Sequence, residues 1–150
     1  MTEAIEKLNA VNSFNMLPWR LILLAEMKAE IGEIQVAETL VDQALKKLSL
    51  SQEGWYLPEV YRVAARVVLG KSDGNANLAE EHLRHAIALA HDQGTKLWEI
   101  RATTRLARLL RDTNRRDEAR RILAEIYNWF TEGFDTADLK DAKALLDELS

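Results

Sequence analysis

The residues of this chain best equipped to do chemistry with a partner are arginines. "LARLLRDTNRRDEARRIL", residues 106–123, gathers Arg108, Arg111, Arg115, Arg116, Arg120 and Arg121 into one short stretch. A guanidinium presents paired donors that fit carboxylates and phosphates, so the stretch is either a binding site or the solvated face of a structural element. Other candidates are weaker. "LGKSDG" (69–74) resembles part of a phosphate loop, but the first glycine of G-x-x-x-x-G-K-S falls at Ala65. His82 and His85 lie beside Glu80 and Glu81, a spacing able to hold a metal. His91 is too far along to complete a ligand set, and surface histidines flanking Ala86 are the better reading. No serine stands with a histidine and an acid in a nucleophile setting. The pairs Glu80/Glu81 and Asp117/Glu118 open helices, where carboxylates offset the N-terminal dipole. No catalytic, cofactor-binding or metal-binding residue is assigned, and the expectation is a protein that is not an enzyme.

Composition narrows the partner. Lys+Arg 20 against Asp+Glu 24 gives a net charge of −4, so the arginines are a local feature of an acidic chain and nucleic-acid binding is disfavoured. The absence of cysteine excludes disulfides and thiolate metal sites and fits a reducing cytoplasm. The start, "MTEAIEKLNA", has neither a basic leader nor an apolar core. The longest apolar run, Leu21 to Ala25, falls far short of the ~20 residues of a membrane span. These features predict a soluble cytoplasmic protein with no membrane partner.

The elements that must position the arginines are helical. Apolar residues recur at three and four positions in Leu21, Leu24, Ala25, Ile31 and again in Ala37, Val41, Ala44, Leu48, and nowhere is there a sustained alternation of period two. Breaks at Gly32, "SLSQEG", "GKSDGNAN", "HDQG", "DTN" and "TEGFDT" leave helical segments near 17–31, 33–48, 55–69, 76–91, 96–112, 115–130 and 136–149. They pair. Leu24-Ala25, Val63-Ala64 and Leu106-Ala107 match in the first helix of each pair; Ala37/Val41/Ala44, Ala79/Leu83/Ala86 and Ala119/Leu123/Ile126 match in the second. Trp55 and Trp98 each lie nine residues ahead of their pair's alanine, Ala64 and Ala107, and so open equivalent helices. Small residues at fixed points let antiparallel helices approach closely. The predicted organisation is all-α, one domain over 1–150: a lead segment 1–15, helical hairpins at 16–49, 55–92 and 96–131, and a capping helix at 135–150 with Leu139, Ala142, Leu145, Leu146 and Leu149 on one face.

This pattern resembles the tetratricopeptide repeat, an α-α superhelix, although Ala25 to Ala64 spans 39 residues and Ala64 to Ala107 spans 43 against the usual ~34. More narrowly, "RLILLAEMKAEIGEIQVAETLVDQAL", "GWYLPEVYRVAARVVL", "AEEHLRHAIALAHDQGTKLWEIRATTRLARLLRDTNRRDEARRIL" and "WFTEGFDTADLKDAKALLDEL" resemble the C-terminal repeat region of large bacterial signalling proteins. In those proteins an adenylate/guanylate cyclase-type domain or a regulator is joined to an ATPase module and a tetratricopeptide tail. The chain has no room for the catalytic modules, so the resemblance implies a helical tail or a stand-alone relative and transfers no catalytic residue.

In such an array the first helices of successive pairs line a concave groove. Aligned on the alanines, that lining is Trp19, Ile22, Glu26 and Ala29, then Tyr61, Ala65 and Val68, then Arg101, Thr104, Arg108 and Arg111. Arg101 and Arg105 also match the lysine and arginine with which one tetratricopeptide subfamily clamps a peptide's terminal carboxylate, whereas Ile22, Glu26 and Arg62 stand where that clamp needs a lysine and asparagines. The expectation is a non-catalytic scaffold binding a protein or acidic peptide, without cofactor. The alternative is a purely structural arm of a larger cyclase- or ATPase-type regulator. At the N-terminal end, either the lead docks through Ile5, Leu8 and Val11, or two chains associate there as a homodimer.

Overall fold

The computed structural model describes residues 17–50 and 54–150, and every regular element among them is a helix. In order they are α1 (17–30), α2 (Ile34–Leu50), α3 (Leu57–Gly70), α4 (Ala76–Gln93), α5 (Lys96–Asp112), α6 (Arg116–Tyr127) and α7 (Ala137–Leu149). The chain is all-α, as periodicity predicts. The largest departure in a boundary is at α6, which stops at Tyr127 rather than 130, where the amides of Trp129 and Phe130 turn back onto Ile126 and Tyr127. The lead segment 1–15, with Ile5, Leu8 and Val11, lies outside the described residues.

Local chemistry sets the turns. Asn75 caps α4 by accepting from the amide of Leu78 at 3.1 Å, and Pro58 sits in the first turn of α3. Gly94 ends α4 at φ +72°, and Asn114 takes φ +63° between α5 and α6. Both are left-handed positions that glycine and asparagine adopt at least cost. Successive helices joined by such short turns pack on one another: α3 on α4, α4 on α5, α5 on α6. α3 also touches α5, and α5 touches α7.

The register alanines do what their size implies. Ala25, Ala37, Ala64, Ala79, Ala107 and Ala119 are all buried at helix contacts. The core forms in two parts sharing α3. Val60, Val63, Ala64 and Val67 join Ile22, Ala25 and Ala29 of α1 and Ala37, Val41, Ala44 and Leu48 of α2. Ala65 belongs to the second part, with α4 to α7. α7 closes that part: Leu139, Ala142, Leu145 and Leu149 are buried against α5 and α6, as expected of the final helix.

Candidate functional site

α1, α3, α5 and α7 bring a ladder of opposite charges onto one face. Glu59 and Arg62, one turn apart on α3, are both buried and paired, with Arg62 Nη2 to Glu59 Oε2 at 2.7 Å. Arg62 also grips Glu26 of α1 with both terminal nitrogens, at 2.7 and 3.0 Å. Glu59 accepts a further bond from Arg101 of α5 at 3.1 Å, and Arg101 holds Asp138 of α7 bidentately at 3.1 and 2.8 Å. Burial pulls the Arg62 guanidinium down, but its hydrogen bonds to Glu26 and Glu59 outweigh this and its pKa stands above the ordinary arginine value. Burial likewise raises the Glu26 carboxyl, and the Arg62 bond together with the charges of Arg62, Arg105 and Arg66 more than offsets it, leaving that pKa below the usual range.

Arg105 stands apart from the ladder. It is partly buried on the same face, yet no hydrogen bond or ion pair reaches it among the described residues. Burial, then the guanidiniums of Arg62 and Arg66, hold its pKa below that of an ordinary arginine; it stays charged at any physiological pH. It lines two adjoining cavities. One, of about 340 Å³, is walled by Glu26, Arg62, Arg101, Thr104, Asp138 and Asp141. The other, of about 490 Å³, has Arg62, Arg66 and Arg108 above an apolar floor that includes Ala65, Leu83 and Leu109, with Asp112 its one acid.

The residues expected to line one groove divide. Glu26, Arg101, Arg105 and Arg108 do share this face. Ile22 does not: it is 1% exposed, packed into the core with Ala25 and Ala29, because three residues before Ala25 is the buried side of α1. Ala29 and Ala65 are buried too, touching the second cavity only as its floor. Tyr61 points the other way, its ring 4.4 Å from that of His85 and 5.8 Å from His82 on α4. Val68 packs partly buried against the second core. Thr104 is buried and spends its hydroxyl on the carbonyl of Ile100 at 2.7 Å. Trp19 belongs to an aromatic cluster with Trp55 and Trp98, its centroid 5.8 and 6.0 Å from theirs, and with Tyr56. The cluster ties together the residues that open α3 and α5, the equivalence read from their spacing.

The arginine stretch is largely paired within the chain. Arg108 bonds Asp141, and Arg111 bonds Asp112 and Glu148 at 3.0 and 2.9 Å. Arg115 joins Glu80 and Glu118, each at 2.8 Å, and Arg116 donates to the carbonyl of Glu148. Arg120 and Arg121 are exposed on α6 beside Asp117, Glu118 and Glu125. Glu80, set beside the histidines in the sequence, is engaged by Arg84 as well as Arg115. Among the described residues no cluster of acids and histidines could hold a metal, and no helix is long and apolar enough to cross a membrane.

Sequence reasoning missed Glu59, Arg66, Asp138 and Asp141. The spacing of Glu59 and Arg62 is the one local signal; the other partners lie 33 to 42 residues apart. A further groove of about 560 Å³, between α4, α5 and α6, was also missed; it includes Leu106, Ile122 and Trp129, with Lys96 5.5 Å over the Trp129 ring. Its charges, Arg84 and Lys96 against Asp92, Glu99 and Glu125, are mixed. No protein-family model, curated protein or solved structure significantly matches this chain.

Proposed function

We propose that the chain is a tetratricopeptide-like helical-repeat module, serving bacterial signalling, whose inner face captures an acidic segment of a partner protein. Arg105 carries this reading. A partly buried guanidinium with no hydrogen-bonded carboxylate among the described residues has lost hydration and keeps only the through-space attraction of Glu26, so an incoming acid that bonds it directly recovers the deficit. Beside it Arg66 reaches Glu30 only at 3.5 Å, and Arg108 is paired with Asp141, which is half exposed and open to solvent screening. The apolar floor beneath them fits a segment that alternates an acidic with a small or branched apolar residue.

Fluorescence polarisation against a panel of labelled peptides tests this, with acidic-apolar, basic and neutral members. The acidic-apolar peptides bind, binding weakens with salt, and Arg105→Gln reduces it about tenfold or more, while Arg120→Gln leaves it unchanged. The second reading, a structural arm, is favoured by the ladder itself, which already consumes Arg62 and Arg101. Equal binding by the Arg105 and Arg120 variants, or none by any peptide, would leave that reading standing.

A further inference from the structure

The two ends of the helical array differ in kind. The outward face of α7 carries Lys140, Lys143 and Asp147, a charged surface of the sort that ends a repeat array in water. α1, at the other end of the described residues, buries Ile22, Ala25 and Ala29 and, with Ile31 just past its last turn, turns Arg20, Leu23, Leu24, Met27, Glu30 and Ile31 outward. At 100° per residue these six fall on one contiguous side of the helix. Leu23, Leu24, Met27 and Ile31 are 44%, 41%, 61% and 66% exposed. Together they leave on the order of 400 Å² of apolar surface open, near the largest patch a monomer normally tolerates.

From the charge pattern we infer that this face pairs with itself, joining two copies of the chain through antiparallel α1 helices. Arg20 stands at one end of the stripe and Glu30 at the other. A two-fold axis crossing the stripe midway along α1, level with residues 25 and 26, sets Met27 of one copy on Leu24 of its partner and Arg20 of each beside Glu30 of the other. The parallel alternative places like charges together. Arg20 has no ion pair among the described residues, and Glu30 has only the 3.5 Å contact with Arg66, so both are available. Doubling the patch and adding its polar rim approaches the ~1,200 Å² lower limit of a specific interface, so the dimer is reversible with a dissociation constant on the order of micromolar.

Sedimentation equilibrium of the full chain between about 1 and 100 µM reads this directly. A monomer–dimer equilibrium is expected. Met27→Glu weakens it about tenfold or more, with an unchanged melting temperature at concentrations below the dissociation constant, where both chains are monomers and the side chain is on the surface. Arg20→Glu and Glu30→Arg each weaken it, and combining them restores pairing, which only the antiparallel arrangement explains. A wild-type chain that stays monomeric, or a dimer indifferent to Met27→Glu, overturns the inference. A monomer whose melting temperature falls on Leu8→Glu would overturn it in favour of the chain's own first residues covering the stripe. A dimer that the charge exchange fails to restore would overturn the antiparallel pairing.

Discussion

Arg62 and Arg105 lie on the same face and are the same residue type, yet removing them should have opposite consequences. Arg62→Met strips Glu26 of both its bonds and Glu59 of three, at 3.2, 3.3 and 2.7 Å. Glu59 is buried and keeps only the 3.1 Å bond from Arg101. Breaking a buried pair by removing one partner costs ~3–5 kcal/mol, and the surviving Arg101 contact places this case near the lower end, about 3. For a chain of this length each kcal/mol moves the melting temperature by about 2–4 °C, so Arg62→Met should melt about 6–12 °C lower. Arg105→Met breaks no hydrogen bond among the described residues and relieves repulsion from Arg62 and Arg66, so it should change stability by less than about 0.5 kcal/mol or raise it. Circular dichroism melts and urea titrations measure both. Adding Glu59→Met to Arg62→Met should recover part of the loss, because an apolar pair of similar volume replaces a half-broken ionic one. An Arg62→Met shift below about 2 °C, or equal losses for the two arginines, would refute the ladder as the element that binds α1, α3, α5 and α7 together.

Three further outcomes are expected. Ala107→Leu forces a larger side chain into a fully buried helix contact and should cost ~1–3 kcal/mol in urea unfolding without changing any charge on the arginine face. Deleting residues 136–149 should lower thermal stability and solubility, since it uncovers the core that Leu139, Ala142 and Leu145 close; an unchanged melting curve would show that α7 is not a cap. Stability should also fall with acid in two steps. Burial holds the His82 pKa below 6.5, so its neutral form is favoured by folding and stability is lost as pH drops past that value. The depressed Glu26 carboxyl contributes stability above pH 4.5 that is lost as pH falls through its lower folded value. His82→Gln should remove the first step and Arg62→Met should flatten the second, read as melting temperature against pH.

The sequence by itself determined what depends on neighbours within a few residues. Helix spans follow from a 3.6-residue apolar period, turns from Gly94 and Asn114 in left-handed backbone, and helix contacts from alanines too small to hold helices apart. The apolar face of α7 could be read the same way, since Leu139, Ala142, Leu145 and Leu149 recur at helical spacing. What one face of the array presents could not be read so. The central helices α3 and α5 each pack against several neighbours, and a step of one residue turns a side chain by 100°. The alignment on the alanines thus put Glu26 and Arg108 on the open face but also Ile22, which lies in the core, and Tyr61, which faces α4, and it matched the exposed Leu24 to the buried Val63 and Leu106. The standing of the arginines was decided wholly by tertiary structure. Arg62, Arg101 and Arg111 find carboxylates 36 or 37 residues away on neighbouring helices, whereas Arg105, one turn beyond Arg101, lies among other guanidiniums and bonds no carboxylate among the described residues. Charge pairing across helices depends on which side chains the packing brings within ~4 Å, and nothing in the local pattern of residues encodes that distance.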